Sequence, residues 1–141
     1  MRLILSCIAA AAALVATPAA AVDANIVDGV YRGGYVCAQG TTFLELVLDG
    51  DTDGFVRGTF RFNSAEWTGG SNRTVPEGKF AMTGRLNSQG QIVLQGSHWI
   101  LQPADYVMVN LAGLVTQNGS QVVIAGNVGG APGCTTFRVS R

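Results

Sequence analysis

The chain has 141 residues, in which nine lysines and arginines balance nine aspartates and glutamates, so its formal net charge is zero. Lys79 is the only lysine and no run of basic residues occurs, which argues against a nucleic-acid partner.

The N-terminus has the pattern of a secretory signal peptide. Arg2 carries a positive charge, an apolar run extends from Leu3 to Ala16, and small residues lead up to Ala21. The run is shorter than the roughly 20 residues that a membrane-spanning helix needs. We therefore expect cleavage after Ala21, so that residues 1–21 are lost. Residues 22–141 would then form one secreted or periplasmic domain without a membrane span.

Cleavage would also remove Cys7 and leave two cysteines, Cys37 and Cys134. An even number of cysteines in an exported chain indicates a disulfide. This bridge would join residues near the two ends of the mature chain, and it would place the first strand beside the last.

Beyond the leader, apolar and polar residues alternate with a period of two between clusters of glycine, asparagine and aspartate. This pattern predicts strands and tight turns. In chain order the predicted strands are Val30 to Cys37, Thr41 to Leu48, Phe55 to Phe62, Gly78 to Leu86, Gln91 to Gly96, Tyr106 to Thr116, Gln121 to Val128 and Cys134 to Ser140. The segment Asn63 to Glu77 is the longest predicted loop, and a break is predicted at Gln102 to Asp105.

About eight strands joined mostly by short turns favour an antiparallel meander. Eight strands can close into a barrel that is filled by side chains or holds one small ligand. Closure needs the first and last strands to be neighbours, as the Cys37–Cys134 bridge would make them. We therefore predict an all-β fold, a closed β-barrel, with a β-sandwich as the alternative.

An acidic turn is the one candidate metal site. Asp49, Asp51 and Asp53 alternate before Gly54, as in the first half of a calcium loop. The twelfth position, where such a loop needs a bidentate acid, is Phe60. A solvated hairpin turn is therefore the preferred interpretation, calcium is a weak alternative, and no cofactor is predicted.

Two aromatic groups are the candidate ligand-binding positions. Trp67 lies in the long loop, where a large aromatic needs either a core pocket or a partner. Trp99 and Tyr106 form a second group with His98, the only histidine. The simpler interpretations are that Trp67 folds back onto the barrel and that Trp99 belongs to the core.

Nothing in the sequence indicates catalysis. His98 alone cannot build a multi-histidine metal site, no nucleophile motif accompanies it, and the carboxylates are too scattered to suggest a glycosidase pair. We therefore expect a protein that is not an enzyme.

Short motifs along nearly the whole mature chain resemble a group of small exported bacterial β-domains. They are Tyr31-x-Gly33-x-Tyr35-x-Cys37-x-Gln39-Gly40, Gly78-x-Phe80-x-Met82-x-Gly84, Trp99-Ile100-x-x-Pro103-x-x-Tyr106 and Cys134-x-x-Phe137. The resemblance implies an exported bacterial module and transfers no activity. In outline the chain also resembles the avidins and the small barrel inhibitors of secreted proteases. The biotin-site residues of avidins have no counterpart here, and fold analogy alone does not carry function.

The leading expectation is an exported, non-catalytic binding module that recognises a glycan or another small ligand through Trp67, Trp99, Tyr106 and His98 at one barrel end. The alternative is a protein-interaction module, such as an inhibitor of an exported hydrolase, with the 63–77 loop as its contact segment. The sequence leaves the ligand and the oligomeric state open.

Overall fold

The computed structural model describes residues 22–63 and 75–141. In chain order they form a short 3₁₀ helix (Ala24–Val27) and the strands β1 (Gly29–Cys37), β2 (Gly40–Gly50), β3 (Phe55–Asn63), β4 (Gly78–Leu86), β5 (Gln91–Leu101), β6 (Asn110–Asn118), β7 (Gln121–Gly129) and β8 (Thr136–Ser140). The predicted signal peptide, Trp67 and most of the predicted long loop lie outside the described residues. Within these residues, no helix is long and apolar enough to cross a bilayer.

The eight strands form a closed antiparallel barrel in the order of the sequence. β1 pairs with β2 on one side and with β8 on the other, where Arg32 lies opposite Ser140 and Tyr35 lies opposite Phe137. A disulfide between Cys37 and Cys134 links the chain near the same seam. The predicted closed meander and the predicted disulfide are confirmed, and the sandwich alternative is wrong.

The observed strand bounds agree with the prediction at β4, which is paired along both edges. β4 has the predicted bounds, whereas β5 continues past Gly96 to Leu101 and β6 begins at Asn110 instead of Tyr106. The β5–β6 ladder ends at the pair Leu94 and Leu111. Beyond it, the Gly96 N–H donates to Asn110 Oδ1 at 3.1 Å, so a side chain replaces the next backbone bond.

Side chains at every second position of each strand point inward and fill the barrel. Leu44, Leu46 and Leu48 of β2 are buried, and so are Phe60 and Phe62 of β3. Because neighbouring strands run in opposite directions, odd-numbered strands end where even-numbered strands begin. We call this the upper end of the barrel and the opposite one the lower end.

The 3₁₀ helix closes the lower end. Ala24 and Val27 are fully buried there, and the Ala24 N–H donates to the Asp51 carbonyl at 2.8 Å. The Gly50 N–H donates to Asp28 Oδ1 at 2.6 Å. A Cβ atom at Gly50 would overlap the Ala24 carbonyl, so glycine is needed for this close approach. Among the described residues, the two barrel ends therefore differ, and the helix covers the lower one.

Candidate functional site

A cavity of about 280 Å³ lies at the upper end of the barrel. Its volume is just below the range of roughly 300 to 1,000 Å³ that holds drug-sized ligands. The strands β1, β3 and β4 supply its floor, and the β1–β2, β5–β6 and β7–β8 connections supply its walls. Its main lining side chains are Tyr35, Phe60, Phe62, Phe80, Asp105 and Tyr106.

The floor is a cluster of buried aromatic rings. Phe60 and Phe80 stack with their centroids 4.7 Å apart, and Tyr35 meets the Phe60 ring edge-on at 5.0 Å. Phe62 stacks against Tyr106 at 5.3 Å. Stacked and edge-on pairs at these spacings are mutually stabilising, so the rings form a preorganised apolar surface. Tyr106 is half-buried and forms part of the rim.

Tyr35 brings a polar atom into this floor. Its hydroxyl accepts a hydrogen bond from Gln39 Nε2 at 3.1 Å. Burial raises the pKa of the Tyr35 phenol, and the neighbouring Tyr106 raises it further. The hydroxyl therefore stays neutral in the ordinary pH range, because the interior disfavours the phenolate.

Trp99 joins the ring cluster because β5 contains a bulge. The strand pairs Gly96 with Met82 and His98 with Ala81, so Ser97 has no partner on β4. Strict alternation from Ile92 and Leu94 would turn residue 98 inward. The extra residue instead turns Trp99 inward, where its ring lies 5.1 Å from Phe80. β-Bulges commonly re-aim a side chain near a functional site.

The structure thus brings two of the predicted site residues together and separates a third from them. Trp99 and Tyr106 both contact Phe62, with ring centroids 6.4 Å and 5.3 Å away. Tyr106 lines the cavity, and Trp99 packs behind its floor. His98 is exposed on the outer face of β5, where its Nδ1 lies 3.1 Å from Ser97 Oγ. Trp67, the fourth, lies outside the described residues.

Asp105 sits at the cavity mouth in an unusual backbone conformation. Its φ of 66° is the only positive value at a non-glycine residue in the described parts of the chain. The Tyr106 N–H donates to the Pro103 carbonyl at 3.3 Å, which closes a turn with Asp105 at its third position. Glycine or asparagine usually occupies such a position. Asp105 instead places a carboxylate there.

The acidic turn at the lower end is a hairpin turn in the structure. Asp51 Oδ1 accepts hydrogen bonds from the Asp53 N–H at 2.8 Å and the Phe55 N–H at 3.0 Å. Asp49 lies on β2, opposite Arg57. Across residues 22–63 and 75–141, no group of three or more His, Cys, Asp or Glu side chains is placed to hold a metal ion. The weak calcium prediction therefore gains no support from the geometry.

A larger depression of about 830 Å³ lies on the outer wall across β7, β8 and β1. Arg32 and Arg138 flank it, and small residues such as Gly34 and Ala125 make its floor low. It lies on the outer wall of the barrel, whereas the upper cavity reaches the aromatic rings of the interior. We therefore regard the upper cavity as the better ligand site.

Sequence reasoning missed most of the cavity floor. None of Tyr35, Phe60, Phe62 and Phe80 is predicted from the sequence as a site residue. The available signal was strand direction, since these rings stand near the ends of β1 and β3 and the start of β4. Asp105 was assigned only to a chain break.

Comparison with protein-family models, with curated proteins and with solved structures gives no match to this chain. The case for a function therefore depends on the geometry of the site.

Proposed function

We propose that the protein is an exported, non-catalytic binding module that holds a small ligand in the upper cavity. The observation that carries this proposal is a cavity of about 280 Å³ whose floor is a set of stacked aromatic rings. The opposite end of the same barrel is closed by the 3₁₀ helix, so the two ends differ in the way that a one-mouthed binding barrel requires.

The lining favours a compact ligand with an apolar body over an extended glycan. Sugars stack on exposed ring faces, whereas Phe60 and Phe80 cover one another and are almost fully buried. Tyr106 is the half-buried ring among the main lining residues. A ligand that enters the cavity would gain mainly from contact with apolar surface, at roughly 25 cal/mol per Å² removed from water.

Titration of the oxidised protein, followed by two-dimensional NMR, tests this proposal. The probes are benzyl alcohol, benzylamine, benzoate and a chitin trisaccharide. We expect at least one benzyl compound to shift resonances of Tyr35, Phe62 and Tyr106, and the trisaccharide to have a weaker effect. Tyr106→Ala should weaken binding several-fold, because it removes a stacked wall of the cavity.

Phe55→Ala is the matched control for Tyr106→Ala. Phe55 is an exposed aromatic on β3 near the lower end, with 44% of its surface accessible. Its removal should leave the affinity unchanged. Equal effects of the two variants, or binding of the trisaccharide alone, would count against a small-ligand cavity.

Another surface supports the alternative of a protein-interaction module, such as an inhibitor of an exported hydrolase. Ile100, Leu101 and Val107 are exposed by 53%, 49% and 60%. They lie beyond the last residue pair of the β5–β6 ladder. An apolar surface therefore adjoins an edge of β5 that has no backbone partner on β6. Exposed apolar patches beside strand edges commonly mark protein contacts.

Co-purification from culture fluid distinguishes the two functions. A protein partner that is retained by the wild type and lost with Ile100→Asp and Leu101→Asp would support the interaction module. Benzyl-ligand binding that survives both substitutions would show that the cavity acts separately. An enzymatic role would require an activity that disappears in a folded His98→Ala variant.

A further inference from the structure

Among the described residues that line the upper cavity, the charge has one sign. Among the main lining residues, Asp105 carries the only carboxylate, and no lysine, arginine or histidine contributes to the lining within the described chain. Arg61 and Lys79 belong to the same end, but they stand on the outer faces of β3 and β4, since their neighbours Phe60 and Phe80 point inward. Nothing positive in the described lining balances the carboxylate.

The aromatic rings of the cavity, like the Asp105 carboxylate, favour a positively charged ligand. An aromatic face carries partial negative charge, so a cation within about 6 Å of a ring centroid is attracted to it. This attraction strengthens where water is excluded, as it would be once a ligand covers the cavity floor formed by Tyr35 and Phe62. The Tyr35 hydroxyl is neutral and adds an oxygen beside the rings.

We propose that the upper cavity takes a small organic cation, an ammonium group carried on an apolar body, with the aromatic rings around the body and Asp105 facing the charge. This inference rests on the proposed binding function and names the class of its ligand. Asp105 holds its carboxylate at the mouth through the turn that Pro103 begins, and the rings of Tyr35, Phe62 and Tyr106 form the surface beneath it.

The test uses three probes that share one ring and differ in charge. Benzylammonium, benzyl alcohol and benzoate are titrated into the oxidised protein at low salt, and the dissociation constants are read from NMR shifts of cavity residues. We expect benzylammonium to bind at least about fivefold more tightly than benzyl alcohol, and benzoate to bind most weakly. Added salt should reduce the preference for the cation, because it screens an exposed carboxylate.

Asp105→Asn is the decisive variant. Asparagine has nearly the same shape and tolerates positive φ better than most residues, so the turn should persist while the charge is lost. Benzylammonium affinity should fall to about that of benzyl alcohol, whose own affinity should not change. Asp53→Asn is the control, since it removes one exposed carboxylate from the lower end.

The outcomes separate this inference from the function on which it rests. Benzyl alcohol binding as tightly as benzylammonium to the wild type would overturn the cation inference and leave the cavity as a site for neutral ligands. Equal effects of Asp105→Asn and Asp53→Asn would also overturn it. If none of the three probes shifted cavity resonances, both the inference and the proposed cavity function would be rejected.

Discussion

Glu45 shows how single residues on the outer wall are tied together by charge. Its carboxylate lies 3.3 Å from Arg61 Nε and 3.3 Å from Arg32 Nε, so it bridges three neighbouring strands. The hydrogen bond and charge of Arg61, with Arg32, lower the pKa of Glu45 below its ordinary value, against a smaller opposing effect of burial. A lowered carboxyl pKa means that the folded state favours the ionised form.

The first prediction concerns the pH dependence of stability. Because the pKa of Glu45 is lower in the folded state, its stabilising contribution is present above the unfolded-state pKa and is lost as pH falls through the folded one. Glu45→Gln should cost about 1 kcal/mol or less at neutral pH, and its stability should change less between about pH 6 and about pH 3. Urea unfolding at several pH values measures both effects.

Glu77→Gln is the matched control for Glu45→Gln. The Glu77 carboxylate lies 3.7 Å from Arg61 Nη1, and 51% of its side chain is accessible. A more exposed and more distant pair should contribute less. An acid profile flattened equally by both substitutions would contradict the specific role of Glu45.

The second prediction concerns the ring cluster. Phe80 is 1% exposed and contacts both Phe60 and Trp99. Phe80→Ala should destabilise the protein by about 3 to 5 kcal/mol, through lost burial and the cavity left behind. Phe55→Ala, on the outer wall, should lose only the contact with Arg85 at 4.0 Å, worth about 0.5 to 1 kcal/mol. Equal losses in urea unfolding would show that the cluster is less well packed than its geometry implies.

At the scale of whole strands, β5 supports the site from behind its floor, through Trp99. Its lower half pairs with both neighbours, whereas its upper half pairs with β4 alone. Two register shifts against β4 leave Ser97 and Ile100 unpaired with that strand. The first turns Trp99 into the ring cluster, and the second leaves Leu101 opposite the outward-facing Lys79.

The third prediction tests the first bulge. Deletion of Ser97 should remove the bulge and leave His98 outward and Trp99 inward, because His98 would then follow Gly96 directly and keep its pairing with Ala81. The free energy of unfolding should therefore fall much less than it does in Phe80→Ala, since the ring cluster is retained. Ser97→Ala keeps the residue count and should have little effect. Loss of the NMR contacts between Trp99 and Phe80 after the deletion would refute this account.

The strand register also marks the limit of sequence reasoning at this scale. Alternation located all eight strands because a strand with one buried face has apolar residues at every second position. A bulge adds one residue without changing composition, so the sequence predicts a core position for Trp99 but not the bulge at Ser97 that produces it. The sequence predicts that β6 begins at Tyr106 because alternating apolar residues continue through Val107 and Val109. In the structure these residues have no strand partner, and β6 begins at Asn110.

At the scale of the whole molecule, the disulfide and the β1–β8 ladder close the same seam. The two cysteines that remain beyond the predicted signal peptide, together with the count of eight strands, predict that closure. The site was less predictable, because Tyr35, Phe62 and Phe80 come from three strands that only barrel closure brings to one cavity. The place of Asp105 at the cavity mouth could not be predicted, because it depends on a turn conformation that aspartate seldom adopts.

The fourth prediction concerns the disulfide. Cys37 and Cys134 are 97 residues apart in sequence, and cross-linking a loop of this size removes unfolded-state entropy worth about 4 to 5 kcal/mol at most. The paired Cys37→Ser and Cys134→Ser variant should unfold at lower urea concentration, with a larger loss than Ser97→Ala causes. A reductant should shift the wild-type midpoint to that of the double variant and leave the variant itself unchanged. An unchanged wild-type midpoint in reductant would contradict a stabilising bridge.

The seam between β1 and β8 also dictates when the barrel can be completed. A chain is synthesised from its N-terminus, and each strand from β2 to β7 pairs with one that has already been made. β1, in contrast, keeps one open edge until Thr136 to Ser140 have emerged. Its second neighbour is the last strand of the chain, and contacts so distant in sequence form slowly. Until then β1 lacks its second neighbour, and an incomplete barrel with such an unpaired strand edge is the form most exposed to pairing with the wrong strand.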